Sequence, residues 1–413
     1  MLVIAPMSTI KNAGNATEAA STTTAPTPVF PHPLDATEHD KVPTSGPALT
    51  AAAARASAAQ VRLLDRDHSI LAFNERVFHW VGRKDVPLLE RLRYLCIVSS
   101  NLDEFFEVRA EPHVTAARTG ETKGEHTVAT FEALSAKAHD LVQRQYAAYN
   151  DALMPALAQE GISIVSHGER NAAQRRWVQE YFEREVRPLL VPISLDPAHP
   201  FPQVANKSLN FIVRLKGSDA FGRENEIAIV RVPRLLPRFT RMPAKVAPKG
   251  MQFVSVSSVV RAHLTDLFPG REVVEFSQFR VTRHSDLAVD EEDVRNLRMV
   301  LRQGLQHRNF GTAVRLEVSA GSSEYLADFL LRQFDLPRAS LFRVQGPVNL
   351  VRLSQLIDLV ANPSLLFTPW RPTWPHQIQT GVSILERLKQ GDVLLHQPFE
   401  SFDGVLAFLR EAV

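Results

Sequence analysis

The stretch VPLLERLRYLCIVSSNLDEFFEVRA, residues 86–110, joins a run of apolar residues at helical spacing to an abrupt polar interruption. Leucines recur three or four positions apart, and Pro87 is a residue favoured in the first turn of a helix. The pattern therefore predicts an amphipathic helix from Pro87 onward. The interruption, SSN at 99–101 with two acids soon after it, needs a separate explanation.

Asn101 admits two interpretations from residue chemistry alone. Ser100 or Asn101 can serve as a helix N-cap, and Asn101 with Glu104 has the spacing of a capping box, so that the acids start a helix. Alternatively, the carboxamide offers a donor and an acceptor together, which match the edge of an adenine ring. Tyr94 and Phe105 would then supply an apolar wall. Spacing alone favours the cap.

The composition of the chain changes near residue 59. Residues 1–58 are dominated by Ala, Thr, Ser and Pro and carry too little apolar surface to form a core, which predicts a disordered tail. From 63 to 81, and again from 128 to 158, apolar residues recur at helical offsets. Together with the helix after Pro87, these segments predict an all-α domain over residues 59–162.

Beyond Gly161 the pattern alternates between strands and helices, which is typical of an α+β domain, and we assign that domain to residues 163–376. The predicted strands are LNFIVRL (209–215), EIAIVRV (226–232), FVSV (253–256), VVEFSQFRV (273–281), AVRLEV (313–318) and SLFRV (340–344). The predicted helices are 172–189, 290–307, 322–334 and 348–360. Residues 377–413 predict a helix, a short strand and a second helix, which are too few to form a domain.

The composition also excludes several classes of protein. The 413 residues include 47 basic and 45 acidic ones, so no overall charge indicates a nucleic-acid partner, and a polyanion would have to meet a local cluster. Cys96 is the single cysteine, which excludes an intrachain disulfide and indicates a reducing, cytoplasmic setting. No run of about 18 apolar residues occurs, so membrane attachment is at most peripheral.

Short catalytic motifs give little support for an enzyme by themselves. The segment 217–222 has two glycines at P-loop spacing, but Arg223 and Glu224 replace the lysine and the hydroxyl of that motif, so a hairpin loop is predicted. The fourteen histidines lack the spacing of a zinc hydrolase. The only His-x-Lys, at 39–41, lies in the predicted tail.

Basic residues at two places can be considered as phosphate ligands. On the predicted helix 290–307, three arginines share one face and could hold phosphate oxygens; these are Arg295, Arg298 and Arg302. Acids in the first turn of the same helix favour a solvated face instead. The same reservation applies to basic residues that follow or flank predicted strands, namely Lys207, Arg280 and Arg283.

Several blocks of the sequence resemble, in order, those of the type-1 polyphosphate kinases. The blocks are SILAFNERV, VPLLERLRYLCIVSSNLDEFFEVRA, DPAHPFPQVANKSLNF, FRVTRHSDL, NFGTAVRLEV and GDVLLHQPFESFDGVLAFLREA, and they span about residues 60–413. Members of that family transfer the terminal phosphate of ATP reversibly to polyphosphate, with magnesium and a phosphohistidine intermediate. The resemblance implies a multi-domain enzyme in which an all-α N-terminal domain precedes an α+β head domain and two phospholipase-D-like C-terminal domains.

The resemblance also implies a role for Asn101, and it implies where the catalytic residues and metal ligands of the family lie. Asn101 occupies the position of the family's adenine-contacting asparagine, which raises the ligand interpretation above the cap. The family's catalytic histidines and magnesium ligands lie in the C-terminal domains, which we expect beyond Val413. We therefore expect no catalytic residue and no metal ligand within residues 1–413, and residues 377–413 would be an incomplete start of the first C-terminal domain.

The resemblance further implies ligands and an assembly. The implied ligands are ATP or ADP and inorganic polyphosphate, with Mg²⁺ as a cofactor of the whole enzyme. The implied assembly is a homo-oligomer formed through the head domain.

The sequence departs from the family pattern at two places: Ile70 replaces an aromatic residue, and HQPF at 396–399 replaces HHPY. We expect the chain to be the N-terminal and head portion of an ATP–polyphosphate phosphotransferase, without turnover by itself, in the cytoplasm or peripheral to the inner membrane. The alternatives are a non-catalytic interaction or dimerisation module, and a short form that a separate C-terminal chain completes.

Overall fold

The computed structural model describes residues 64–413 with gaps at 123, 197–199, 219–221, 223, 286–310 and 380. The predicted tail at 1–58 and the predicted helix at 290–307, with its three arginines, lie outside the described residues. The described part begins with helices and continues into a mixed arrangement of strands and helices, in the order that the sequence predicts.

The N-terminal part of the described chain is helical. Its helices are α1 (Arg66–Gly82), α2 (Leu88–Val108), α3 (Glu111–Thr119), α4 (Val128–Ala147) and α5 (Met154–Gln159), with a π-helical turn at Ala148–Leu153 before α5. Polar side chains start two of them: Asp65 accepts a hydrogen bond from the His68 N–H at 2.7 Å, and Thr127 forms a capping box with Thr130. The predicted helical segments of this region are confirmed.

Helix α2 runs without a break through SSNLDEFF, so the predicted N-cap at Ser100 or Asn101 is wrong. The reason lies in its apolar face, because Leu95, Leu102 and Phe106 are each at most 2% exposed and continue one buried stripe. Burial of such a face outweighs the local preference of a few polar residues for a helix terminus. The acids of this stretch therefore lie in the helix interior and not in its first turn.

Nine strands are described in the remainder of the chain, and each of the six predicted strands is confirmed by one of them. They are β1 (Ile162–Ile164), β2 (Val191–Ser194), β3 (Asn210–Lys216), β4 (Ile227–Arg231), β5 (Phe239–Arg241), β6 (Met251–Ser255), β7 (Glu272–Arg283), β8 (Ala313–Ser319) and β9 (Leu341–Val344). Six of them form a sheet of order β2-β4-β3-β7-β8-β9, in which only β8 and β9 run parallel. The loop predicted at 217–222 joins the antiparallel neighbours β3 and β4.

A smaller sheet has the order β1-β6-β5, with β1 parallel to β6. Two glycines cross closely beside it, since a Cβ atom on Gly250 would lie 2.3 Å from the carbonyl oxygen of Gly161. Gly250 also has a φ of +79°, which other residues adopt at a cost. The helices of the α+β part that follow or cover these strands are α6 (Ala172–Tyr181), α7 (Val256–Ala262) and α8 (Glu324–Gln333).

After β9 the chain returns to α2. A 3₁₀ turn at Leu350–Leu353 and helix α9 (Ser354–Val360) pack on α2, and Cys96 Sγ donates to the Leu350 carbonyl oxygen at 3.3 Å. Helices α10 (Ile384–Lys389) and α11 (Asp403–Ala412) then pack on each other. The strand predicted between them is wrong: this described segment makes only an isolated bridge, from Thr373 to Glu400. Within the described ranges, no helix is long and apolar enough to cross a membrane.

Candidate functional site

Asn101 lies on α2 beside α1, and a chain of hydrogen bonds orients its carboxamide. Its Nδ2 donates to Asn74 Oδ1 at 3.1 Å, and Asn74 Nδ2 donates to the Val98 carbonyl oxygen at 2.9 Å. Asn74 is 2% exposed, whereas Asn101 is half-buried. Asn101 Oδ1 accepts no hydrogen bond from the described residues, so this oxygen and one amide N–H are left for a ligand.

The apolar wall predicted beside Asn101 is formed differently. Phe105 is buried and meets Phe106 edge to face, with ring centroids 5.4 Å apart, so it faces the core and not a ligand. Tyr94 lies two helical turns before Asn101, about 10 Å along α2. Its ring stacks on Trp80 at 5.3 Å, and Trp80 is partly exposed. The prediction is wrong for Phe105, while Tyr94 and Trp80 form an aromatic surface further along the same pair of helices.

Two residues after Asn101, Asp103 enters a buried ionic cluster with Arg280 of β7 and with Arg315 and Glu317 of β8. Both oxygens of Asp103 accept from Arg280 at 2.9 Å, and one of them also accepts from Arg315. Glu317 pairs with Arg280 and, at 3.1 Å, with Arg315. All four residues are at most 4% exposed. The cluster therefore joins α2 to the six-stranded sheet and fixes Asn101 relative to it.

The charges of this ionic cluster balance one another. Burial opposes the charge of Asp103, but the attraction of Arg280 and Arg315 outweighs burial and lowers the pKa of this carboxyl group. Burial opposes the charge of Arg280 as well, and Asp103 and Glu317 outweigh it and raise the pKa of the guanidinium. Asp103 is thus ionised beside the two arginines, and the formal charges of the two acidic and two basic side chains cancel in this part of the interior.

A second contact between α2 and the α+β part lies one helical turn further on. The Glu107 carboxylate accepts from Asn206 Nδ2 at 2.6 Å and from Lys207 Nζ at 2.8 Å. Arg283 donates to two backbone carbonyl oxygens, those of Val204 and Gly311. Lys207, Arg280 and Arg283 were possible phosphate ligands from sequence alone, and the structure gives each of them a partner within the protein.

The side chains of Asp67, His113 and His126 form a group that could hold a metal ion, with ligand atoms within 4.8 Å of one another. His113 Nε2 lies 3.0 Å from Asp67 Oδ2, and Arg109 Nε donates to the other carboxylate oxygen at 2.8 Å. Burial raises the pKa of Asp67, but the hydrogen bonds from Arg109 and His113 outweigh burial and lower it. From the sequence we expected no metal ligand before Val413. Residue spacing does not reveal this group, because its members come from three separate segments of the chain.

A cavity of about 980 Å³ lies elsewhere in the molecule, beside the ends of the parallel strands β8 and β9. Its lining includes Ser319 and Gln345 from the ends of these strands, and Ser166 and Arg261 from the region of the smaller sheet. Asn101 is not among the lining residues, so this cavity and the predicted ligand site are different places.

Two family models of known proteins match most of the part of the chain described above. Residues 63–165 match the family model of the polyphosphate kinase N-terminal domain, and residues 173–356 match that of the polyphosphate kinase middle domain. The chain belongs to the polyphosphate kinase family. The first model spans helices α1 to α5, and the second spans every strand of the six-stranded sheet.

Curated relatives and a solved structure agree with this membership. A polyphosphate kinase of Neisseria meningitidis is 46% identical over 357 residues, which are 86% of this chain and 52% of the relative. A polyphosphate kinase of Burkholderia multivorans is 44% identical over 85% of this chain and 52% of the relative. The crystal structure of polyphosphate kinase from Porphyromonas gingivalis shares the fold, with a TM-score of 0.69 over 86% of this chain and 50% of that chain at 24% identity. The chain thus spans about half the length of the relatives it matches.

The resemblance to polyphosphate kinases implies magnesium as a cofactor of the whole enzyme. The described residues do not fit a magnesium site. Mg²⁺ takes oxygen ligands in octahedral geometry. The group of Asp67, His113 and His126 offers two imidazoles and one carboxylate, a set that suits zinc or another transition metal. No step involving magnesium is therefore derived from this part of the chain.

Proposed function

We propose that this chain holds the adenine of ATP at Asn101 and serves a reaction that transfers the terminal phosphate of ATP reversibly to inorganic polyphosphate. The observation that supports it is the orientation of the Asn101 carboxamide by Asn74, with an oxygen and an N–H left over on a half-buried surface. An adenine edge presents an acceptor and a donor side by side, and an oriented carboxamide complements both. The reaction in this proposal is inferred from the family to which the chain belongs.

Rigid placement of α2 makes such a contact effective. The ionic cluster and the Glu107 contact hold α2 against the α+β part at two points, one helical turn apart. A base that binds beside Asn101 therefore has a fixed position relative to the six-stranded sheet, and less ordering free energy is lost on binding. The Trp80–Tyr94 stack provides an apolar surface on the same two helices.

Phosphoryl transfer also needs positioned phosphates, a metal ion and a nucleophile. The proposal assigns to residues 64–413 as described the binding of ATP or ADP, and it derives no transfer step from them. Adenine contacts alone give weak binding, and we expect a dissociation constant in the millimolar range, or about 4 kcal/mol of binding free energy.

Saturation-transfer NMR at millimolar ATP tests the proposal, because it detects weak ligands through their base protons. The wild-type chain should transfer saturation to the adenine protons, and Asn101→Ala should abolish most of this transfer. Asn150→Ala is the matched control, since the Asn150 carboxamide likewise donates one hydrogen bond within the protein, to the Gln345 carbonyl oxygen at 2.8 Å. Absence of transfer in the wild type, or equal transfer in both variants, would contradict adenine binding at Asn101.

An interaction or dimerisation module is the second candidate function, and one observation favours it. Strand β2 is the edge of the six-stranded sheet, and Val191 at its start is 61% exposed. Pairing of two β2 edges would give a homo-oligomer through the head domain in the cytoplasm. Sedimentation of the wild type and of Val191→Lys measures this directly: a dimer that the variant weakens supports the module, and a monomeric wild type opposes it.

A further inference from the structure

Three arginines meet between the loop that precedes β5 and the 3₁₀ turn that precedes α9. They are Arg234, Arg238 and Arg352. The backbone N–H of Arg238 donates to Gln355 Oε1 at 2.8 Å, and Gln355 lies one helical turn after Arg352. Arg234 Nη2 donates to the Asn206 carbonyl oxygen at 2.6 Å. These contacts bring two segments that are more than a hundred residues apart into one basic surface.

Within the part of the chain that the structure describes, the charges of the three arginines have no acidic partner. Among residues 64–413 as described, no carboxylate forms an ion pair with Arg234, Arg238 or Arg352. Arg238 is only 8% exposed, and its Nη1 is buried without a hydrogen-bond acceptor. Burial, together with the positive charges of Arg352 and Arg234, lowers the pKa of Arg238 to about 10. Burial and the charges of Arg234 and Arg280 likewise lower the pKa of Arg352.

In the ionic cluster, by contrast, the buried guanidinium groups have acidic partners. Arg280 and Arg315 are each 1% exposed, and both are paired with Asp103 and Glu317. A buried charge without a partner is strongly unfavourable, because its loss of hydration is not compensated. An anion from solution would supply the missing compensation at Arg238.

We propose that Arg234, Arg238 and Arg352 form a binding site for a phosphate-bearing anion. A single carboxylate neutralises one of three positive charges, whereas a phosphate or pyrophosphate carries two or more negative charges and presents several oxygens to separate guanidinium groups. Arg234 is exposed and Arg352 is half-buried, so the anion reaches Arg238 from solvent. The site does not depend on adenine binding at Asn101.

Isothermal titration of the full 413-residue chain with pyrophosphate, at constant ionic strength, tests the proposal. The wild type should bind, and Arg238→Met and Arg352→Gln should each weaken binding at least tenfold. Arg176→Gln is the control, because Arg176 is exposed on α6 and carries the same charge. Asn101→Ala should leave pyrophosphate binding unchanged, which separates this site from the nucleotide site.

Thermal unfolding without ligand distinguishes an anion site from a purely structural role of Arg238. If the role were purely structural, Arg238→Met would lower the unfolding temperature. Arg238→Met keeps the volume of the side chain and removes an unpartnered charge, so the variant should unfold at or above the wild-type temperature. The proposal is overturned if the wild type does not bind pyrophosphate, or if Arg238→Met and Arg352→Gln bind it as the wild type does. It is also overturned if Arg238→Met unfolds earlier without ligand while its binding is unchanged. If Arg238→Met does not fold, Arg352→Gln decides the binding question.

Discussion

Asp103→Asn tests whether the ionic cluster fixes α2 to the six-stranded sheet. The substitution keeps the shape of the side chain and removes its charge, which leaves Arg280 and Arg315 with Glu317 as their one acidic partner. Asp103 is 4% exposed and accepts from Arg280 through both oxygens at 2.9 Å. Removal of one partner from a buried ion pair costs about 3–5 kcal/mol, and we expect about 3 kcal/mol because asparagine keeps one acceptor.

Urea unfolding followed by far-ultraviolet circular dichroism measures this loss as a change in the free energy of unfolding. Asp85→Asn is the matched control, since the Arg83–Asp85 pair is at the surface and Asp85 is 65% exposed. Its unfolding curve should overlay that of the wild type. Adding Arg315→Met to Asp103→Asn leaves one guanidinium and one carboxylate, so the double variant should recover part of the lost stability.

The ionic cluster also predicts how the difference in the free energy of unfolding between wild type and Asp103→Asn depends on pH. The pKa of Asp103 is lower in the folded protein than in the unfolded chain, so its contribution is fully present above the unfolded value of about 3.9. The contribution is lost as the pH falls through the folded pKa. The difference between wild type and Asp103→Asn should therefore be constant from pH 7 to 5 and shrink below about pH 4. A variant as stable as Asp85→Asn at pH 7 would refute the reasoning.

Three further predictions concern a backbone contact, the cysteine and the orientation of Asn101. Gly250→Ala should lower the free energy of unfolding well beyond the roughly 1 kcal/mol expected for Gly222→Ala. Both glycines have positive φ, but only on Gly250 would the added Cβ lie 2.3 Å from a carbonyl oxygen, that of Gly161; urea unfolding compares the two variants. Cys96 should resist a thiol reagent until the protein unfolds, since burial raises the pKa of its thiol to about 12; the labelling rate in urea measures this. Asn74→Ala should weaken ATP binding severalfold by freeing the Asn101 carboxamide, as seen in the saturation-transfer signal.

Much of the fold is predictable because its elements carry strong local patterns. The apolar spacing in α1, α2 and α4 and the strands β3, β4 and β8 follow from periodicity alone. The cap at Ser100 or Asn101 was wrong since a local polar signal competes with a buried face of α2, and burial contributes more. The short strand expected after Lys389 was wrong because an apolar run of three residues has no neighbouring strand with which to pair.

The candidate site is less predictable, because its partners are far apart in the sequence. The Asp103–Arg280 contact joins residues 177 positions apart, and no spacing rule relates them. The same holds for Asp67 with His113 and His126, and for Arg238 with Arg352. Residue chemistry identified Asn101 as a donor and acceptor, but only the structure shows that Asn74 orients it.

Base selectivity decides whether Asn101 recognises adenine. We would compare the affinities of ATP and inosine triphosphate, whose base has an oxygen in place of the adenine amino group, for the wild type and for Asn101→Ala. An amide paired with an adenine edge discriminates by about 1–3 kcal/mol, so the wild type should prefer ATP by about tenfold, and the variant should bind both nucleotides equally. Equal affinities in the wild type, or a preference that survives in the variant, would contradict the claim.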